Sequence, residues 1–132
     1  MEVMIMNLKE YFASVKGTGV LSTADGKGVV NAAVYATPNS TEDGLLSFIM
    51  RGRKTHENIG TNPHACFLFI EAGTMTGKRI YLTKVKEEKN TELLFSYRRH
   101  CKRSECNTNE DLYLVFFSVD KVLPLIGSGE EK

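Results

Sequence analysis

Ser47-Phe48-Ile49-Met50-Arg51-Gly52-Arg53-Lys54-Thr55-His56-Glu57-Asn58-Ile59 is the stretch on which the fold turns. It opens as a short apolar run, the pattern of a buried strand, and breaks into two arginines, a lysine and a threonine. Thr55 then has the form of a cap on a short helix that ends near Gly60, and Asn62-Pro63 prevents that helix from continuing. A helix N-terminus offers unpaired N–H groups and the positive end of a dipole. With Arg53, Lys54 and the Thr55 hydroxyl beside it, the segment forms a candidate site for a phosphate monoester. The competing reading is a solvated basic turn with an ordinary threonine cap.

Upstream of this segment, Leu8, Tyr11, Phe12 and Val15 recur at helical spacing behind the Asn7-Leu8-Lys9-Glu10 capping box. They predict a helix over 8–16, closed by Gly17. Strands are expected at 19–24 and 29–36, joined by the hairpin signal Asp25-Gly26-Lys27-Gly28, and at 45–50 after a turn from Thr37 to Gly44. Tight turns between three successive strands imply a meander. Downstream, Ala65–Ile70 and Leu112–Val119 are apolar on both faces and read as buried strands, with a further strand over 79–87. Residues 90–103 carry Leu93, Leu94 and Tyr97 on one side of a predicted helix. Six mainly antiparallel strands with a few helices favour a closed or nearly closed barrel, which removes exposed edges. Phe67, Phe69, Phe116 and Phe117 are assigned to its core.

Composition sets the outer bounds. The 132 residues make one domain, with 42% hydrophobic and 25% charged residues. A net charge of +1 gives no reason to expect a nucleic acid or membrane partner. No apolar run reaches the ~20 residues of a membrane helix. The opening Met1-Glu2-Val3-Met4-Ile5-Met6 is too short and too acidic for a signal peptide, so a cytoplasmic location is expected. Cys66, Cys101 and Cys106 have no framework spacing and suit free thiols in a reducing compartment.

Three other signals are set aside. Gly73-Thr74-Met75-Thr76-Gly77-Lys78 imitates a P-loop but has one residue too few between its glycines and leads into a strand. It is read as a hairpin loop. His100, Cys101 and Cys106 fall short of the four converging ligands of a structural zinc site, so no metal is expected. Arg98 to Arg103 reads as a solvated cationic helix end; the alternatives are a Cys101 thiol of lowered pKa, an RNA or other polyanion site, and steering of an anionic substrate or partner.

The order of these features resembles the FMN-binding split barrels related to pyridoxamine 5'-phosphate oxidase. An N-terminal helix, a glycine-bearing first strand, a hairpin to Val29-Val30-Asn31, and a strand followed by a basic residue and Lys54-Thr55 all fit that order. So do Asn58-Ile59, Asn62-Pro63 and the ending Val122-Leu123-Pro124-Leu125-Ile126-Gly127. The resemblance spans 8–127. It implies a six-stranded antiparallel split β-barrel that binds FMN at the interface of a homodimer. Arg53, Lys54 and Thr55 would hold the phosphate, and Asn31, Ala32, Ala33 and Val34 would run beside the isoalloxazine ring. Ile49, Met50 and Arg51 would meet the polar edge of the ring through main-chain groups, Tyr35 or Tyr97 would stack on it, and Leu123–Ile126 of the partner would cover it. The C-terminal Arg- and His-bearing substrate segment of the vitamin-forming oxidase has no counterpart, so oxidation of pyridoxamine phosphate is not the expected activity.

The implied function is that of an FMN-dependent oxidoreductase with a small-molecule or redox-protein electron donor. The alternatives are a non-enzymatic FMN-binding electron carrier, or a split barrel that holds a deazaflavin or haem instead. The residues single out no catalytic acid or base; His56 is placed exposed on the short helix.

Overall fold

Ala65–Ile70 has apolar side chains on both faces, so it must lie where both faces are covered. The computed structural model, which describes residues 8–97 and 111–127, puts it inside strand β5 (His64–Glu71). β5 is hydrogen-bonded on one side to β1 (Gly17–Ala24) and on the other to β6 (Gly77–Lys89). Ala65, Phe67 and Phe69 turn inward and are buried, while Cys66, Leu68 and Ile70 form a half-buried outer row. Burial pushes the Cys66 thiol above its ordinary pKa, which Arg79 only partly opposes.

The remaining strands are β2 (Val30–Tyr35), β3 (Asn39–Ser40), β4 (Leu46–Arg51) and β7 (Leu112–Pro124). One curled sheet in the order β2-β1-β5-β6-β7-β4-β3 contains all seven, each neighbour antiparallel. Helices α1 (Leu8–Ser14), α2 (Lys54–Thr61) and α3 (Glu92–Tyr97) complete the described chain. β7, like β5, is apolar on both faces for a structural reason. Val115 and Phe117 join the main core, while Leu112, Leu114 and Phe116 join a second cluster around Leu94 of α3.

The expected barrel is present, but several of its parts differ from expectation. Asn39–Ser40, read as turn, forms a seventh short strand paired with Ser47 and Leu46. The meander does not form: β2 pairs with β1 only, and β4 leaves the hairpin to pair with β7. Local turns leave that choice of partner open, because it is the barrel core that selects it. β2 and β3 remain the two edges of the sheet, so the barrel is split rather than closed. Gly17 opens β1 instead of capping α1, which stops at Ser14. Leu93 of α3 is 40% exposed and does not share the buried side of Leu94. Asp25–Gly28 does form the predicted hairpin, with Gly28 at a φ of 89°, and Gly73–Gly77 joins β5 to β6 as a loop. The Asn7 cap, Arg98–Arg103, His100, Cys101 and Cys106 lie outside the described residues. None of the described helices is long and apolar enough to cross a membrane.

Gly19 of β1 has a specific reason to be glycine. The outer end of the Phe67 ring lies against it, and a Cβ at Gly19 would overlap the ring at its Cζ. Gly19→Ala is therefore expected to cost about 1–3 kcal/mol of unfolding free energy through overpacking. A urea midpoint unchanged from the parent would refute that packing.

Candidate functional site

The β4 strand delivers Arg51 to the rim of the barrel, and Gly52-Arg53 turns the chain into α2. Arg53 holds the N-cap position in extended backbone, and no side chain caps the helix. The first helical hydrogen bond runs from the Glu57 N–H to the Arg53 carbonyl at 2.9 Å, so the amides of Lys54, Thr55 and His56 precede it. Thr55 is thus not the cap that the sequence suggested. It sits inside the first turn and is buried, where Asn31 Nδ2 donates to its hydroxyl at 3.3 Å. The same hydroxyl bonds the Tyr35 phenol, whose pKa is raised by burial and partly lowered again by Thr55.

These contacts cross the seam of the split barrel. Tyr35 on the β2 edge packs its ring edge-on against Phe48 of β4, with centroids 6.0 Å apart. A cleft of about 780 Å³ follows the seam, within the ~300–1,000 Å³ usual for small-molecule sites. From β2 it is lined by Asn31, Ala33 and Val34, from β4 by Ile49 and Arg51, and from the turn and α2 by Arg53, Lys54 and Thr55. One end is therefore cationic and rich in donors, and the other is formed of small or apolar side chains.

Two of the expected residues do not present their side chains to the cleft, although for Met50 the expected contact is through the main chain. Ala32 points out of the barrel on the exposed face of β2, and Met50 is buried in the core with 1% exposure. Strand alternation separates them from Asn31, Ala33, Ile49 and Arg51. Tyr35, Ala36 and Leu112 also line the cleft, and of these the sequence points to Tyr35 alone, as a stacking residue. Tyr97 packs instead on the second hydrophobic cluster. Leu123–Ile126 is tied to its own chain: Val122–Pro124 pair with β6, the Leu125 N–H donates to Gly77, and Arg79 bonds the Pro124 and Gly127 carbonyls.

His56 is not an exposed surface residue. Its ring stacks on Tyr113 at 3.9 Å and 17°, and Nε2 lies 3.0 and 3.2 Å from the two Glu87 carboxylate oxygens. Lys84 Nζ donates to the same carboxylate at 2.8 Å. Burial works to raise the Glu87 pKa, but the bonds from Lys84 and His56 outweigh it and leave Glu87 below the usual carboxylate range.

Tyr35→Phe keeps the ring on Phe48 and removes only the bond to Thr55. A loss of about 0.5–1.5 kcal/mol is expected, and thermal unfolding of the two proteins side by side measures it.

The sequence matches no family profile and no curated protein. Solved structures do match it. An FMN-binding protein from Syntrophomonas wolfei subsp. wolfei superposes with a TM-score of 0.74 at 20% identity, covering 96% of this chain and 91% of that one. A pyridoxamine 5'-phosphate oxidase-related, FMN-binding protein from Nostoc punctiforme gives 0.60 at 12% identity, over 93% and 81%. The chain has the FMN-binding split-barrel fold. An F420 reductase gives 0.62 at 17% identity, over 86% and 94%. At these identities the likeness establishes the split barrel alone; a ligand has to be argued from the cleft.

Proposed function

We propose that the cleft binds FMN and that the protein is an FMN-dependent oxidoreductase acting as a homodimer in the cytoplasm. The observation that carries this reading is the polarity of the cleft. Arg53, Lys54, Thr55 and the first-turn amides of α2 gather at one end, and Ala33, Ile49 and Leu112 form the other. A phosphate monoester suits the first end, and a flat heteroaromatic ring suits the second. Arg53 and Lys54 would neutralise the phosphate, the Thr55 hydroxyl would turn from Tyr35 to donate to it, and the β2 backbone at Ala33 would lie beside the ring. When bound, the flavin supplies hydride or electron transfer; the protein's part is to orient it and keep water from one face.

A second copy of the chain is the natural partner. On the outer face of β2, Val30 and Val34 are 77% and 74% exposed, and Val34 continues the apolar row of Val20 and Leu68 across the sheet. A row of this kind beside the cleft suits a surface that is covered in a dimer. Sedimentation showing only a 14.8 kDa species at micromolar concentration would overturn this part.

The absorption spectrum after adding FMN and desalting tests the cofactor. Retained bands at about 370 and 450 nm support it, and a colourless protein overturns it. Anaerobic bleaching by NADH or NADPH separates an oxidoreductase from an electron carrier. The F420 reductase fold match makes a deazaflavin the ligand to try second.

A further inference from the structure

His56 lies beside the cleft without lining it, yet it makes the most elaborate side-chain contacts on α2. The helix has only eight residues and no side-chain N-cap, so it has little stability of its own and takes its orientation from tertiary contacts. Its middle is fixed by Ile59 in the core and by Asn58, whose Nδ2 donates to Thr23 at 3.1 Å. The first turn is gripped from two directions. Thr55 is held by Asn31 and Tyr35 of β2, on one side of the seam. His56, about 100° further round the helix, is held from the other side by Tyr113 of β7 and Glu87 of β6. Two grips at different angles fix rotation about the helix axis, which one grip cannot do.

We propose that His56 is a positioning residue. Seated between the Tyr113 ring and the Glu87 carboxylate, it sets the rotation of the first turn of α2 and thereby the aim of Thr55 and the free amides at a ligand's phosphate. The proposal rests on the phosphate reading of the cleft. Glu87 is itself anchored by Lys84, so the grip ends on the rigid β6–β7 pair rather than on a mobile side chain.

The test compares binding of FMN and riboflavin, followed by quenching of flavin fluorescence, in the parent, His56→Ala and His56→Gln. The parent should prefer FMN. His56→Ala should lose about tenfold in FMN affinity, with riboflavin affected less than about threefold, the size expected when a charge-assisted contact is misaligned. His56→Gln keeps a donor for Glu87 and should restore most of the preference, a rescue that a general loss of packing does not predict. Should His56→Ala not fold, Glu87→Gln carries the same test and should show a smaller loss confined to FMN. Equal losses for the two ligands overturn the positioning role and leave the phosphate site standing. A parent that binds FMN and riboflavin equally overturns the phosphate site, and the positioning role with it.

Discussion

Lys54→Ala should weaken FMN by about 1.5–3 kcal/mol, the range for a hydrogen bond to a charged group, or roughly 10- to 150-fold in Kd, while riboflavin binding changes little. The prediction follows from where Lys54 stands. Its side chain is 53% exposed and, among the described residues, forms an ion pair with Glu57 at 3.6 Å on the same helix face. An exposed pair of that kind contributes ~0.3–0.5 kcal/mol, so the ammonium gives up little by swinging to a phosphate at the mouth of the cleft. Titration of both flavins against parent and variant measures the difference. Losses that are equal for FMN and riboflavin would show that Lys54 does not read the phosphate. Salt gives an independent check: raising ionic strength should weaken FMN more than riboflavin in the parent, and this difference should shrink in Lys54→Ala.

Much of this site was legible in the sequence because its chemistry is local. Arg53, Lys54 and Thr55 are consecutive, and a strand that breaks into a helix start puts them at one rim whatever the rest of the fold does. Asn31 and Ala33 were reached through the family order, and strand alternation alone then sorts them from Ala32, just as it sorts Ile49 and Arg51 from Met50. What sequence could not supply was partnership over distance. Nothing near Tyr35 announces that its phenol reaches Thr55, and nothing near His56 announces Tyr113 and Glu87, which lie 57 and 31 positions away. The strands show the same division. Asp25–Gly28 fixed its own hairpin, but the departure of β4 from β2 to pair with β7 depends on which arrangement buries Leu46, Phe48 and Met50 together with Val115 and Phe117.

The deepest of these long-range dependencies runs through Phe67. Phe67→Ala is expected to cost about 3–5 kcal/mol of unfolding free energy, the usual range for a buried phenylalanine. Its ring has no exposed surface and lies 5.0 Å from Phe48, 6.1 Å from Phe12 and 6.2 Å from Phe69, while its outer end lies against Gly19. The cavity would open against β1 and β4 together, two strands that do not pair with each other and are joined here by side chains. Phe48 also carries Tyr35, and Tyr35 carries Thr55, so the lost ring removes the backing of the phosphate end of the cleft. Urea unfolding at constant m-value measures the stability term, and a loss under about 1 kcal/mol would mean that the aromatic cluster is not what closes the barrel. The double variant is more telling. Gly19→Ala destabilises only because the Phe67 ring occupies the space its methyl needs, so in the Phe67→Ala background the added methyl should enter the cavity and cost little or stabilise. A coupling of about 1–3 kcal/mol between the two positions is expected, the range for residues in direct contact. Strict additivity would place the cost of Gly19→Ala in the β1 backbone instead, and the ring's contact with Gly19 would then have no part in holding the strand.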